Sequence, residues 1–226
     1  MPFTLTPAND HSLLISFGNE ISLAHHRQVC ALTQKLLSTP ANFIRNIHPA
    51  YCSILVSFDP SLASQQEVEA HLRTLLDGAD DEALPSTRLV EIPVCYEEEF
   101  GLDLCEVAAH HRLTCEEVIA IHTSGQYRVY FLGFMPGFAY LGGLSPRLST
   151  PRLPSPRARV PAGSVAIAGA QTGIYPMTTP GGWRIIGRTP LQLFSAEREK
   201  PALLELGDEV RFEKISRQEF VEFAMG

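Results

Sequence analysis

The sequence predicts an α+β protein of two domains, an N-terminal ferredoxin-like domain over residues 1–84 and a β-rich domain over residues 85–226. Two observations lead to this division. Helix-like and strand-like apolar patterns alternate in the first part of the chain, whereas short β-branched runs separated by Gly and Pro fill the part after Gln126. Residues 78–86, which lie between these parts, are acidic and rich in turn-forming residues, and this composition predicts a linker.

The first domain is predicted to have the element order β-α-β-β-α-β, the split βαβ arrangement that packs two helices on one face of an antiparallel sheet. Residues 21–37 carry apolar side chains at helical spacing and are followed by Pro40. Residues 61–76 repeat the pattern, with Ser61 as a candidate N-cap and Gly78 just beyond the end. The predicted strands are residues 11–17, 42–48, 51–58 and 88–94, and the last of these could belong to either domain.

The second domain is predicted to begin with a helical hairpin, residues 102–111 and 114–122, and to end with a short helix at residues 217–225. Between these helices, many short strands alternate with Gly and Pro turns, and this pattern favours a barrel or a sandwich. The predicted strands are residues 127–134, 164–168, 183–187, 191–194 and 209–212.

The composition narrows the class of protein. The net charge of −7 argues against a general nucleic-acid binder, which usually presents a basic surface. The longest apolar run, residues 129–144, is interrupted by five Gly and Pro residues, so no membrane span is expected. Because the N-terminal residues lack the basic and apolar regions of a secretory signal, a cytoplasmic location is expected.

The cysteine and histidine residues do not predict a metal site. The five cysteines form no C-x-x-C pair, so we expect reduced, mostly buried thiols without a disulfide or metal role. The adjacent histidine pairs, 25–26 and 110–111, point about 100° apart on a helix and make poor chelates.

The distribution of charge is uneven. Between Val118 and Ala196 the chain has no Asp, Glu or Lys, but it has seven arginines: Arg128, Arg147, Arg152, Arg157, Arg159, Arg184 and Arg188. The planar guanidinium group matches the oxygens of a carboxylate or phosphate two at a time. This segment therefore predicts an anion site, with the alternative that the arginines pair with the acidic remainder of the chain or with a partner.

Two of these arginines are the first candidates for the anion site. Arg157 and Arg159 alternate in Pro-Arg-Ala-Arg-Val-Pro, and an extended backbone would place both side chains on one face.

The same segment lacks groups for proton transfer. General acid–base catalysis usually uses His, Asp, Glu, Lys, Tyr or Cys, and here only the tyrosines and His122, near the edge, are present. His122 has either a structural role or a catalytic or ligand-binding one. We therefore expect a site that binds and orients, with proton chemistry supplied by the other domain or by another chain, as in one component of a multi-subunit enzyme.

An aromatic motif at residues 131–141, Phe-Leu-Gly-Phe-Met-Pro-Gly-Phe-Ala-Tyr-Leu, surrounds a Pro-Gly turn. It is either core and turn or the wall of an apolar pocket, because ligand clefts combine aromatic side chains with a few polar groups. Gln171 and Tyr175, in the glycine-rich part that follows, add neutral hydrogen-bonding groups.

These motifs resemble those of the KipI/PxpB family, also called allophanate hydrolase subunit 1. The resemblance is carried by residues 131–141, Thr150-Pro-Arg, Arg159-Val-Pro-Ala-Gly-Ser-Val-Ala-Ile-Ala-Gly, Gln171-Thr-Gly-Ile-Tyr-Pro and Thr179-Pro-Gly-Gly-Trp. It covers residues 88–212, and the first domain matches in length and layout. It implies a cyclophilin-like β-barrel for the second domain.

The resemblance also implies partners and an activity. Family members act with a KipA/PxpC-type chain and a PxpA-type chain as a 5-oxoprolinase, which opens 5-oxo-L-proline to L-glutamate with hydrolysis of ATP. The ligands implied are a small carboxylate substrate and ATP, the latter bound by the complex, and the chain alone is expected to be inactive. The alternatives are a KipI-like inhibitor of a sensor histidine kinase and a carboxyltransferase-type component of a urea carboxylase or allophanate hydrolase system.

By motif position, the resemblance implies one catalytic residue, His122, and no metal ligand. The residues that it implies for substrate binding are Phe134, Pro136, Gly137, Arg157, Arg159, Gln171, Tyr175 and Trp183.

Overall fold

The computed structural model describes residues 3–77 and 88–225. The chain divides into two compact units, Met1–Ser86 and Thr87–Gly226. The predicted linker at residues 78–86 lies outside the described residues.

The first unit is a four-stranded antiparallel sheet with two helices. Its elements are β1 (Thr4–Asn9), β2 (Ser12–Ser16), α1 (Leu23–Ser38), β3 (Ile44–Pro49), β4 (Ser53–Phe58) and α2 (Gln65–Asp77), and the strand order is β1-β2-β4-β3. Helix α1 begins where the Ser22 hydroxyl accepts a hydrogen bond from the backbone N–H of His25 at 3.1 Å. Val29 and Leu32 of this helix share one apolar core with Ile54 and Val56 of β4.

This unit differs from the predicted element order. Residues 88–94, predicted as the last strand of a βαββαβ sheet, belong to the second unit, and β1 supplies the fourth strand by pairing with β2. The apolar pattern did not reveal β1 because most of its side chains are exposed and Pro7 interrupts it, as an edge strand permits. The ferredoxin-like assignment is therefore not confirmed.

The second unit contains a closed barrel of seven strands, which confirms the predicted mixed α+β class and is consistent with a cyclophilin-like barrel. The strand order is β10-β7-β6-β13-β5-β12-β9, and all pairs are antiparallel except the parallel pair β13 and β5. The barrel strands are β5 (Leu89–Cys95), β6 (Tyr127–Leu132), β7 (Ala139–Gly142), β9 (Ser164–Ala168), β10 (Gln171–Ile174), β12 (Arg184–Arg188) and β13 (Glu209–Ile215).

The other strands and the helices are not part of the barrel sheet. Strands β8 (Arg157–Val160) and β11 (Thr179–Gly181) form a separate two-stranded ribbon, and the helices are α3 (Leu104–His111), α4 (Cys115–Thr123) and α5 (Arg217–Met225). Residues 191–194 were predicted to be a strand, but only Phe194 makes a β-bridge there, with Ala202. None of the helices within residues 3–77 and 88–225 is long and apolar enough to cross a membrane.

The second unit has two apolar clusters. The larger fills the barrel and includes Val129, Leu141, Ile167 and Phe212. The smaller joins Val160 of β8 to aromatic side chains that directly flank three barrel strands, namely Phe138, Tyr175 and Trp183. The smaller cluster positions the candidate site, because its aromatic side chains continue into an open cleft.

Candidate functional site

A cleft of about 360 Å³ lies beside the β8–β11 ribbon. Its walls are mainly aromatic, and it contains one guanidinium group. The side chains that define it are Phe134, Phe138, Tyr140, Arg152, Tyr175 and Trp183. An apolar cleft with few polar groups is typical of a small-molecule site.

Edge-to-face contacts hold the aromatic wall together. The ring of Phe138 lies 5.3 Å from that of Tyr175 and 5.6 Å from that of Trp183, at interplanar angles of 75° and 89°. Gly181 permits this packing, because a Cβ atom there would lie 2.5 Å from the hydroxyl oxygen of Tyr175. The wall is thus closely packed, and its shape depends on a glycine of the ribbon.

Phe134 stands at the rim of the cleft in a strained conformation. Its φ is +68°, and the N–H of Met135 donates to the carbonyl of Gly133 at 2.8 Å, which closes a three-residue turn around it. A positive φ at the centre of such a turn is rare and costs of order 1–3 kcal/mol for a residue with a Cβ. The residue is 62% exposed, so burial does not offset this cost. Retained strain of this kind is typical of a ligand-binding residue.

Pro136 and Gly137 shape the loop that presents Phe134. Gly137 has a φ of +80°, and a Cβ atom there would lie 2.7 Å from Cβ of Phe194. Pro136 is exposed beside it. Neither residue lines the cleft.

Arg152 provides the positive charge of the cleft. Its guanidinium carbon lies 5.9 Å from the centroid of the Trp183 ring, a cation–π distance. Among the ion pairs of residues 3–77 and 88–225, none involves Arg152, and its side chain is exposed. Its charge is therefore available to an anion that enters the cleft.

Two tyrosines near Arg152 are held in the protonated form. Burial raises the pKa of Tyr175. A hydrogen bond with the backbone of Trp183 and the charges of Arg152 and Arg157 offset part of this rise. Burial likewise raises the pKa of Tyr140, and Arg152 opposes that rise. At neutral pH both phenols are therefore neutral groups that can donate or accept hydrogen bonds.

Arg157, a first candidate for the anion site, has an acidic partner within its own chain. Its Nη1 and Nη2 atoms donate to the two carboxylate oxygens of Asp103 at 2.9 and 2.6 Å. Asp103 is 1% exposed and also accepts from the backbone N–H of Ile185 at 2.7 Å. A paired guanidinium of this kind positions the strand β8 rather than offering a free charge to a ligand.

The alternative interpretation of the arginine-rich segment holds for three of its members within the described chain. Besides Arg157, Arg128 pairs with Glu209 and Arg184 pairs with Glu106. Arg159 differs from its neighbour Arg157, because it is exposed and has no ion pair with the residues that the structure describes. The expectation that Arg157 and Arg159 act together is thus not supported by their contacts.

His122 lies in the barrel interior, away from the cleft. It is fully buried, and its ring stacks on Phe212 with centroids 4.4 Å apart. The Thr172 hydroxyl donates to the carbonyl of Ala166, so it accepts from Nε2–H of His122 at 3.2 Å, and the Tyr96 hydroxyl donates to Nδ1 at 2.8 Å. Burial lowers the pKa of His122 to about 3. The imidazole is therefore neutral at physiological pH, and this arrangement favours the structural interpretation; the catalytic one stays a prediction.

The structure brings together three of the nine predicted site residues, Phe134, Tyr175 and Trp183. Gln171 is half-buried at the start of β10, where its backbone pairs with Ala168, and it does not line the cleft. In the sequence, Arg152 was one of seven arginines and part of a family motif, but it was not predicted as a site residue. The Thr150-Pro-Arg motif was a signal for it, but its position over Trp183 depends on contacts between residues far apart in the chain.

No group of three or more His, Cys, Asp or Glu side chains that could hold a metal occurs in the described part of the chain. The cysteines are less buried than expected. Only Cys30 and Cys95 are buried, whereas Cys105 is exposed and its sulfur lies 3.0 Å from that of Cys115. The sequence did not reveal this contact, because it depends on how the two helices of a hairpin are turned toward each other.

A family model described as the carboxyltransferase domain, subdomain C and D, matches residues 3–204 of this sequence. The chain belongs to this family. Relatives cover nearly its whole length. The 5-oxoprolinase B subunit of Bacillus subtilis (strain 168) is 43% identical over 233 residues, which cover 96% of this chain and 95% of the relative. The 5-oxoprolinase B subunit of Escherichia coli O157:H7 is 44% identical over 202 residues, which cover 89% and 91%.

Two solved structures are similar to this chain. The protein TTHA0988 is 40% identical with a TM-score of 0.81, and the match covers 91% of this chain and 40% of that one. The chain thus spans less than half of TTHA0988. The urea carboxylase of Kluyveromyces lactis has a TM-score of 0.78 at 21% identity, covering 97% of this chain and 22% of the other, which shows a shared fold alone.

Proposed function

We propose that this chain is the B subunit of an ATP-dependent 5-oxoprolinase, which converts 5-oxo-L-proline to L-glutamate together with a PxpA-type chain and a KipA/PxpC-type chain. The similarity to 5-oxoprolinase B subunits of two bacteria, at 43% and 44% identity over most of each chain, carries this proposal. The cleft suits the substrate, a five-membered lactam that bears a carboxylate.

Each part of the substrate has a counterpart in the cleft. The guanidinium of Arg152 attracts the carboxylate, and because it lies over Trp183 the anion would be held beside an aromatic face. The rings of Phe138 and Trp183 supply apolar surface for the methylene groups. The protonated phenols of Tyr140 and Tyr175 are the neutral groups that can hydrogen-bond the lactam.

The cleft contributes binding and orientation rather than proton transfer. Among the described residues that line it, none is a carboxylate or a histidine. A base for water and an acid for the leaving lactam nitrogen must then come from another chain, which agrees with a role as one component of a complex. ATP belongs to the reaction of the complex, and its hydrolysis drives the opening of an otherwise unreactive amide.

Arg159 is part of this proposal in a different role. It is exposed on β8 and has no acidic partner among the described residues. We place it at a surface where the KipA/PxpC-type chain or the PxpA-type chain, or a ligand shared with one of them, meets this chain. Arg159→Ala should lower turnover of the complex and leave binding of 5-oxo-L-proline to the isolated chain unchanged.

The finer architecture belongs to the same proposal. It comprises a ferredoxin-like domain over residues 1–84, in which β1 occupies the edge expected for a last strand, and a cyclophilin-like barrel over residues 85–226. The location proposed for the complex is the cytoplasm.

Reconstitution tests the function. The chain is purified with its PxpA-type and KipA/PxpC-type partners, and the release of ADP and of L-glutamate from 5-oxo-L-proline is measured, with omission of each chain in turn as the control. The expected result is turnover by the three chains together and none by this chain alone. Absence of turnover by the complete set would refute the proposal.

A further inference from the structure

The helical hairpin α3–α4 presents two thiols in contact. The Sγ atoms of Cys105 and Cys115 lie 3.0 Å apart, with Cys105 exposed and Cys115 half-buried. The other three cysteines are placed differently, since Cys30 and Cys95 are buried and Cys52 belongs to the first unit. The contact is thus the one place among the described residues where two sulfur atoms meet at the surface.

The hairpin holds these sulfur atoms in register. Helix α3 ends at His111, its C-cap Arg112 has a φ of +57°, and the N–H of Leu113 donates to the carbonyl of Ala108 at 2.9 Å. Helix α4 begins two residues later with a capping box between Thr114 and Glu117. These two caps fix how α3 ends and how α4 begins. The contact between the two cysteine side chains therefore depends on a well-defined helical hairpin and not on a variable loop.

The distance between the two sulfur atoms, 3.0 Å, is about 1 Å longer than a disulfide bond. A disulfide S–S bond is about 2.05 Å long, so the sulfur atoms must approach by about 1 Å. Side-chain rotation within a hairpin can supply a movement of this size. Cys105 is the more accessible thiol and meets an oxidant first, and hydrogen bonding to Cys105 together with burial raises the pKa of Cys115, which suits it to act second.

We propose that Cys105 and Cys115 are a redox-modification site that forms a reversible intramolecular disulfide on exposure to a peroxide. The Cys105 thiol loses its proton, its thiolate attacks a peroxide oxygen, and the O–O bond breaks to give a sulfenic acid and a hydroxide, which takes up the released proton to form one water. The Cys115 sulfur then attacks the sulfenic sulfur, the S–O bond breaks, and a second water leaves with the thiol proton. Two thiols and one hydrogen peroxide thus give one disulfide and two waters.

The bond would connect α4 to the helix that anchors the cleft. Cys105 lies between Asp103, which holds Arg157, and Glu106, which holds Arg184. Fixing α3 against α4 therefore limits the movement of both anchoring carboxylates. This inference does not depend on the reaction that the complex catalyses.

Peptide mapping tests the disulfide. The full chain is treated with a small excess of hydrogen peroxide, remaining thiols are alkylated, and the protein is cut with trypsin and Glu-C. This digestion separates residues 100–106 from residues 113–116, and both from Cys95, so a Cys105–Cys115 bond appears as two joined peptides. We expect the joined species in the oxidised protein and its loss after dithiothreitol.

Variants make the result specific. Cys115→Ser should abolish the joined species and leave a sulfenic acid on Cys105 that dimedone traps, whereas Cys52→Ser, a half-buried cysteine of the first unit, should leave the joined species unchanged. The melting temperature of the oxidised native chain should exceed that of the oxidised Cys115→Ser variant by several degrees. Sulfinic acid on Cys105 with Cys115 still alkylated, a bond from Cys105 to Cys95, or equal melting temperatures would each overturn the proposal.

Discussion

The barrel interior and the outer cleft both combine aromatic rings with a polar group, but only the interior satisfies that group within the protein. His122 has a hydroxyl partner for each ring nitrogen and stacks on Phe212. Arg152 lies over Trp183 in the cleft and pairs with no carboxylate of the described chain. The comparison teaches that the polar group of the interior is satisfied within the fold, whereas the charge in the cleft is open to an anion from outside.

The largest expected effect concerns the interior. His122→Ala removes a buried ring and leaves the hydroxyls of Tyr96 and Thr172 without their partner, so we expect a loss of about 3–5 kcal/mol in the free energy of unfolding. Urea denaturation measures this loss. Binding of 5-oxo-L-proline to the folded variant should be unchanged. Full stability combined with lost turnover of the complex would instead support a catalytic role for His122.

The next effect concerns the ion pair that links α3 to the ribbon. Asp103→Ala leaves the guanidinium of Arg157 and the N–H of Ile185 without an acceptor, and we expect a loss of about 3 kcal/mol in the free energy of unfolding. Glu106→Ala is the matched control, because that carboxylate is exposed and its pair with Arg184 should contribute no more than about 1 kcal/mol. Equal losses in the two variants would contradict the distinction between the buried carboxylate of Asp103 and the exposed carboxylate of Glu106.

The dependence of stability on pH distinguishes a buried neutral histidine from an exposed one. Burial lowers the pKa of His122 from 6.5 in the unfolded chain to about 3 in the folded one. The unfolded chain therefore binds an extra proton as the pH falls below 6.5, and the folded protein loses up to about 1.4 kcal/mol per pH unit. Urea denaturation between pH 6.5 and 5 should show this slope, and His122→Gln should reduce it. An identical slope in both proteins would place the histidine in contact with water.

The smallest expected effect concerns the rim of the cleft. Phe134→Gly should raise the free energy of unfolding by about 1 kcal/mol, because glycine adopts a positive φ without strain. The same change should weaken binding of 5-oxo-L-proline, because the ring is lost. Phe134→Asn is a second variant whose residue tolerates a positive φ. A destabilised Phe134→Gly variant would show that the turn is not strained.

Local sequence patterns predicted the helices well and the short strands poorly. The predicted helices at residues 102–111 and 114–122 correspond to α3 and α4, since helical spacing and capping residues lie within one segment. Helix α2 was predicted from Ser61, but its hydroxyl bonds Asp59, and Ser64 forms the reciprocal contact with Glu67 instead. The short strands β7, β8, β10 and β11 were missed, because such strands are defined by partners far along the chain.

The candidate site could be predicted in part. The aromatic motif and the Trp183 motif indicated an apolar pocket wall, and Phe134 and Tyr175, which the sequence also suggested, line the cleft. The roles of the arginines could not be assigned from the sequence, since the choice between Arg152 and Arg157 depends on Asp103. That carboxylate is 54 residues from Arg157 in the chain, and only the fold brings the two together.

Fluorescence of Trp183, the single tryptophan of the chain, reports directly on the cleft. The most direct measurement titrates 5-oxo-L-proline into the isolated protein and into the Arg152→Ala variant, with Arg159→Ala as the matched arginine control. Loss of a charge-assisted contact should weaken binding roughly 10- to 100-fold in Arg152→Ala, with Arg159→Ala unchanged. Unaltered binding by Arg152→Ala, or an equal loss in both variants, would contradict the assignment of the cleft as the carboxylate site.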